Sequence, residues 1–394
     1  MRSLERLVSP ELALCFVTTA ASSVGFFLPF AVVPLFAAHA GGAVAAGMAT
    51  TALLVATVAV ELVAPRILTR IGTRAGLALG LFLLGAPILL LLVSSGPLLI
   101  VVVSVVRGVG FALIVVAGGA LTAALLPTGR RGEALAVLGM VSGIPSMIAL
   151  PAGVLMAQLW GYAPVFVVTA VLPVLSALTI PWLSARAPGV GAPVGVIHAL
   201  RNVWPPTVVF AASAAGAGVL ATYLPLAARG VPAWVVPCAL FAQTLVATLV
   251  KPAVGRLGDR RRHDVLLLPG VVLAALGMAA LFFTAEPVVI IAGAAVFGAG
   301  FGTLQNSTLT LMYEKVGADG YPAASAIWNA AYDSGMAVGA ALVGAIVGLI
   351  GFPAAFVLTG ATIALGGLAH LRRPRDAVPA SPTIPATATE GALS

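Results

Sequence analysis

A helical span takes about 20 apolar residues, and this chain offers twelve such runs separated by polar or Gly/Pro punctuation. They cover approximately residues 12–37, 43–64, 75–95, 97–126, 133–158, 162–183, 204–228, 232–250, 265–284, 287–312, 322–349 and 351–371. In hydrocarbon every backbone N–H and C=O must be satisfied internally, which leaves helices as the structure for runs of this length. The composition agrees, with 61% hydrophobic and 8% charged residues, where a soluble domain carries charge on about a quarter of its residues. The expectation is an all-α polytopic membrane protein with 12 transmembrane helices. Arg2 and Arg6 precede an apolar run ending Ala38-His39-Ala40, which has the outline of a cleavable signal. The run exceeds the h-region of about 7 to 15 residues, so it is expected to stay as a span.

The basic residues orient the chain. With the N-terminus in the cytoplasm, 18 of the 20 Lys and Arg residues fall on that side, leaving Arg229 outside and Arg107 within a span. This is the positive-inside pattern, and it calls for an even number of spans with both termini cytoplasmic. The net charge of +8 sits in short turns and implies no nucleic-acid partner. Its densest cluster, Lys251 to Asp264, reads as a cytoplasmic turn between two spans. Cys15 and Cys238 lie in apolar runs and the four histidines are scattered, so neither a disulfide framework nor a metal site is implied.

The chain repeats itself. A shift of 190 carries Gly108, Gly110 and Phe111 onto Gly298, Gly300 and Phe301, Gly161-Tyr-Ala-Pro-Val-Phe166 onto Gly351-Phe-Pro-Ala-Ala-Phe356, and Arg66, Ile67 and Arg70 onto Arg256, Leu257 and Arg260. Two six-helix bundles in parallel pseudo-repeat are a transporter architecture. The halves are expected at 1–183 and 204–371, joined by a Gly/Pro-rich cytoplasmic linker at 184–203. The Ala/Pro/Thr-rich segment 372–394 reads as a disordered cytoplasmic tail.

Gly255, Leu257, Asp259 and Arg260 spell Gly-x-Leu-x-Asp-Arg, with Arg262 where a further Gly is expected. With twelve spans and a duplication, this resembles the major facilitator superfamily of secondary transporters over residues 10–371. The resemblance implies a latch at the cytoplasmic gate. The equivalent stretch of the first half, Pro65 to Arg74, keeps Arg70, Gly72 and Arg74 but has Thr69 for the acid. The alternative is a positive-inside turn with no gating role. Arg107 with Gly108 and Gly110, and Gly139 to Pro145, partly resemble the fourth- and fifth-span motifs of the drug/proton exporters of that family. The second also reads as close packing through small residues.

Arg107 stands near the bilayer midplane, where an arginine costs about 2.5 to 3.5 kcal/mol on insertion scales. It needs a water-filled cavity or a partner. In the eleventh run Ser325, Asn329, Tyr332, Asp333 and Met336 recur at helical spacing, and Asp333 lies at a depth close to that of Arg107. A carboxylate balanced between burial and a nearby cation can take a proton from one side and release it to the other. Asp333 and Arg107 are therefore the candidate coupling charges, with a permanent ion pair as the alternative for both and a capping role for Asp333. Gln305 and Asn306 in the tenth run, Gln243 in the eighth, and Tyr223, Trp328, Asn329 and Tyr332 are candidate cavity residues. Glu61 and Lys251, related by the 190 shift, are expected at the cytoplasmic mouth as a gate salt bridge or as solvated interfacial charges. Thr18, Thr19, Ser22 and Ser23 read as packing residues.

Together these features predict a monomeric, proton-coupled transporter in a bacterial plasma membrane. It would export a small, partly apolar metabolite or drug by alternating access, driven by the proton gradient without a cofactor; the alternative is uptake of a nutrient. No His-Glu-x-x-His, Gly-x-Ser-x-Gly or nucleotide-binding Gly-x-x-x-x-Gly-Lys occurs, and Tyr332-Asp333 lacks the companion of an aspartyl protease pair, so an enzyme is not expected.

Overall fold

The computed structural model describes residues 10–125, 131–183, 196–228, 230–261, 263–316 and 320–371, and the regular structure among them is helical. The helices are α1 (Pro10–Phe27), α2 (Val32–Ile71), α3 (Thr73–Gly85) running into a 3-10 segment (Ala86–Leu92), α4 (Pro97–Leu125), α5 (Arg131–Trp160) and α6 (Tyr162–Ala177). There follow α7 (Val196–Ala227), α8 (Val235–Arg261), α9 (His263–Ala280), α10 (Pro287–Val316) and α11 (Tyr321–Leu371).

Ten stretches among the described residues are long and apolar enough to cross a membrane. Two are well over twice the needed length: Pro10–Ile71 at 62 residues and Tyr321–Gly367 at 47. Each is broken by glycine, at Gly41–Gly42 (Gly42 φ 64°) in α2 and at Gly351 (φ 76°) in α11. A positive φ costs glycine little and other residues much, so the chain can end one rod and start another there.

Two assignments made from the sequence need correction. Lys251 to Arg261 is the last three turns of α8 and not a loop. Loss of apolar character marks where a helix leaves hydrocarbon, whereas the helix itself stops later, and Lys, Arg and Leu are good helix formers. Likewise residues 196–203 of the expected linker form the first turns of α7. Residues 184–195 and the segment 372–394 lie outside the described residues.

The 190-residue shift reappears in three dimensions. A methyl group added at Gly108 would strike the Leu53 carbonyl, and one at Gly298 would strike the Gln243 carbonyl. Gly110 packs on Gly80 and Leu84 of α3; Gly300 packs on Gly270 and Ala274 of α9. Gly85 lies on the Ala170 carbonyl, 2.8 Å from a built Cβ, and Gly360 on the Ala275 carbonyl at 2.7 Å. In each pair both partners move by the same 190 positions. Small residues here let backbones approach, the usual means of helix association where lipid removes the hydrophobic driving force.

The N-terminal set α1–α6 meets the C-terminal set α7–α11 chiefly where α2 packs on α11 and α7 and where α5 packs on α8. Hydrogen bonds tie the α2 contact near one end. Thr50 and Thr222 share a bond of 3.0 Å, Thr51 donates to the Ala337 carbonyl at 3.1 Å, and Tyr223 donates to the Ala340 carbonyl at 2.5 Å and the Ala43 carbonyl at 3.5 Å. Gly47 lies against Tyr223 and Ala340, where a side chain would not fit. The basic residues Arg66 and Arg70 of α2, Arg256 of α8 and Lys315 of α10 gather at the opposite end of the bundle.

Candidate functional site

The first arginine to place is Arg107, 1% exposed in the middle of α4. Its Nε donates to the Leu84 carbonyl at 3.1 Å and one terminal nitrogen donates to the Gly25 carbonyl at 2.9 Å. Both acceptors are explained by the sequence. In an α-helix the Gly25 carbonyl would receive the N–H of residue 29, which is Pro29 and has none. In the 3-10 segment the Leu84 carbonyl would receive the N–H of residue 87, which is Pro87. Arg107 therefore supplies the donors that two prolines withhold, joining α1, α3 and α4. No carboxylate pairs with it among the described residues. It borders a small cavity, also lined by Pro29, Phe30, Thr50, Leu53 and Ser104, with room for about one water.

Asp333 sits twelve residues into α11 and is 7% exposed. It has neither a hydrogen bond nor a cationic partner among the described residues. Arg107 is thus not its counter-ion. The charge that reaches it is Glu61 of α2, whose carboxylate lies within electrostatic range. With Thr51 beside Ala337 and Gly47 beside Ala340, α2 and α11 run antiparallel, so Glu61, ten residues after Thr51, comes roughly level with Ile327, about six residues of α11 from Asp333. Glu61 also falls on the helical stripe of Gly47, Thr50 and Leu54 that faces the C-terminal set. Of the two readings of Glu61 and Lys251, the gate salt bridge is not formed among the described residues. The 190 shift relates their positions within each set, but it places Glu61 on the α2–α11 contact and Lys251 on α8, which packs on α5.

Asn329 fixes which side of α11 is wet. It is exposed, yet Val338, nine residues on and so on roughly the opposite side of a helix with 3.6 residues per turn, belongs to an exposed apolar stripe with Leu342 and Leu349. An exposed apolar stripe of this kind faces lipid. The exposed amide on the other side, one turn from Asp333, then opens to space inside the bundle.

Beside it the C-terminal set carries an aromatic stack. Trp328 and Tyr332 lie parallel, with ring centroids 6.2 Å apart and 7° between planes. Phe210 of α7 backs Trp328 at 4.3 Å, and Phe301 of α10 lies 6.1 Å from Tyr332. Trp328 Nε1 donates to Thr308 Oγ1 at 3.2 Å. Trp328 and Tyr332 are half-buried, whereas Phe210 and Phe301 are buried, so only the first two can meet a solute. Asn306 and Gln305 on α10 are half-buried, and the buried Oδ1 of Asn306 and Oγ of Ser307 have no partner among the described residues. Gln243 is 6% exposed, and its backbone carries the Gly298 contact.

Tyr223 lies elsewhere than expected. It is fully buried in the seam and binds backbone there, too enclosed to line a cavity. The first-span hydroxyls are packing residues, each bonded to a carbonyl of its own preceding turn. In the expected gate motif Gly255 is half-buried with open space around it, and Arg70 is exposed. The side chains of Asp259 and Arg260 lie outside the described residues. Phe210 and the Glu61–Asp333 relationship were missed from the sequence. A 3.6-residue pattern shows which residues share a face but not which face another helix will cover.

The profile of the Major Facilitator Superfamily matches residues 15–325 and again 234–392. The chain belongs to that superfamily. Among solved structures, the nucleoside transporter NupG is 12% identical with a TM-score of 0.71, covering 92% of this chain and 98% of its own. Its D323A mutant gives 0.72 at 12% identity, covering 91% and 99%. The peptide transporter POT in complex with sulfate gives 0.73 at 14% identity, covering 92% and 93%. At such identities these likenesses establish the fold. None of the curated proteins matches the sequence. The superfamily chain is a membrane-embedded transporter of small molecules and not an enzyme.

Proposed function

We propose that this superfamily member is a proton-coupled secondary transporter that exports a small, partly apolar solute by rocking two six-helix halves about a central vestibule. In this reading the two longest stretches supply two spans each, making twelve from the ten candidates, with both termini cytoplasmic, a reading that the positive-inside distribution of Lys and Arg supports. The halves are residues 1–183 and 204–371, with the linker at 184–203 and a cytoplasmic tail at 372–394. The protein works as a monomer in a bacterial plasma membrane, without a cofactor.

The observation that carries this reading is Asn329, exposed on the side of α11 away from lipid and one turn from an unpartnered, buried Asp333. Polar groups left without protein partners at membrane depth are met by water or by solute. The halves are hydrogen-bonded at the seam end, so solvent reaches Asn329 from the basic end. Asp333 is the coupling group, and Glu61 replaces Arg107 as the charge it senses. Gln243, Gln305, Asn306, Trp328, Asn329 and Tyr332 are the residues around the solute. Asp259, Arg260, Gly255 and Arg70 form the cytoplasmic latch.

Purified protein in proteoliposomes under an imposed pH gradient provides the test. Solute moving against the proton flow, lost in Asp333→Asn, is the expected result, and proton-independent flux overturns the coupling. A second reading, proton-coupled or facilitated uptake of a small nutrient, draws on the nucleoside and peptide transporters of the same fold. Solute moving with the protons would select it.

A further inference from the structure

We propose that the interior side of α11, completed by Glu61 of α2, is a subsite for an organic cation. The proposal rests on the transport reading above and narrows it to a substrate class.

An ionised carboxylate buried without a counter-ion is expensive in a bundle surrounded by lipid, and Asp333 is unpartnered among the described residues. Among the described side chains, no cation on the helices packed against α11 pairs with Asp333. From α2 comes Glu61, a second acid, with Arg66 and Arg70 exposed beyond it toward the basic end. Within the described side chains of α7 the only charged residue is Arg201, which is exposed at its basic end. On α10, Glu314 and Lys315 are exposed at the basic end and Tyr313 bonds Ser325. Arg107 is committed to the Gly25 and Leu84 carbonyls. Asp333 thus feels a second acid and is paired with no cation of the described side chains.

The neighbouring rings choose the kind of cation. Tyr332 adjoins Asp333, and with Trp328 it forms a half-buried parallel pair backed by Phe210. A cation over such faces gains about 0.5 to 2 kcal/mol. A hard metal ion instead needs six or more oxygen ligands, and no group of three or more metal-binding side chains occurs among the described residues. An ammonium or amidinium on a flat apolar body fits. Its charge would lie between Asp333 and Glu61, its body along Trp328 and Tyr332, and its hydrogen-bonding groups toward Asn329. Because the two acids belong to different halves, the cation would bridge them.

Equilibrium binding to the detergent-purified full chain tests this, using benzyltrimethylammonium and its uncharged carbon isostere neopentylbenzene. The cation should bind at least about tenfold more tightly than the isostere. Asp333→Asn should abolish the preference, Asp333→Glu should keep it, and Glu61→Gln should reduce it about threefold or more. Absent cation binding, equal affinities, or an unchanged preference in Asp333→Asn overturns the proposal. Should Asp333→Asn fail to fold, an unchanged preference in Glu61→Gln does so. Flux in proteoliposomes separates the two claims. A protein that prefers the cation but moves no solute keeps the subsite and loses the transport reading. One that moves neutral solutes without preferring the cation does the reverse.

Discussion

Arg107 holds the Gly25 carbonyl at 2.9 Å, and Pro29, four residues after Gly25, is why that carbonyl is free to be held. Leaving a buried acceptor unsatisfied costs about 1 to 3 kcal/mol, so Arg107→Leu should lower the thermal unfolding midpoint of the purified protein. Pro29→Ala restores an N–H at the position that should donate to Gly25. Adding it to Arg107→Leu should recover part of the loss, a coupling that a double-mutant cycle reads directly. Additive effects would show that the guanidinium has another task.

The paired glycine contacts predict paired damage. Gly108→Ala and Gly298→Ala each drive a methyl group into a carbonyl of the adjacent helix, at Leu53 and Gln243. Overpacking of this kind costs about 1 to 3 kcal/mol. Gly143→Ala, inside a helix where the added methyl group meets open space, should not lower the midpoint.

The wet side of α11 is open to chemical labelling. In a background with Cys15 and Cys238 replaced by serine, Asn329→Cys should react with a membrane-impermeant maleimide added from the basic end. Val338→Cys, on the lipid stripe, should not. Equal labelling of both would remove the vestibule.

Tyr223→Phe and Thr51→Val each delete a seam hydrogen bond to α11. Such bonds within membranes average about 0.6 kcal/mol, so neither change should unfold the protein. The double variant should shift the resting population toward the conformer open at the seam end, seen as slower labelling at Asn329→Cys. Unaltered labelling would mean that the seam does not hold the resting state.

Much of the architecture was legible because it is written in period and spacing. Runs of about 20 apolar residues give spans, and the 190-residue shift, visible at Gly108 and Gly298, reappears as matching helix contacts. The site was legible one helix at a time. The stripe through Ser325, Asn329 and Asp333 announced a polar side on α11. That Glu61 comes to this stretch of α11 depends on the register set by Gly47 and Thr51 against Ala340 and Ala337, which no single-helix pattern contains. Arg107 marked itself by its cost, but its partners are backbone atoms. Pro29 and Pro87 were the signal that could have found them, since each proline announces a carbonyl without its usual donor. Helix ends were misread at Lys251 to Arg261 because hydropathy reports the edge of the lipid rather than the end of the helix.

The hydroxyls of Thr51 and Tyr223 lean on the main-chain oxygens of Ala337 and Ala340. Any amino acid carries such an oxygen, so the acceptor side of this closure cannot be mutated away; only bulk can spoil it. Sequence drift at 337 and 340 is therefore limited by size alone, while the donors at 51 and 223 must keep a hydroxyl for the join to survive.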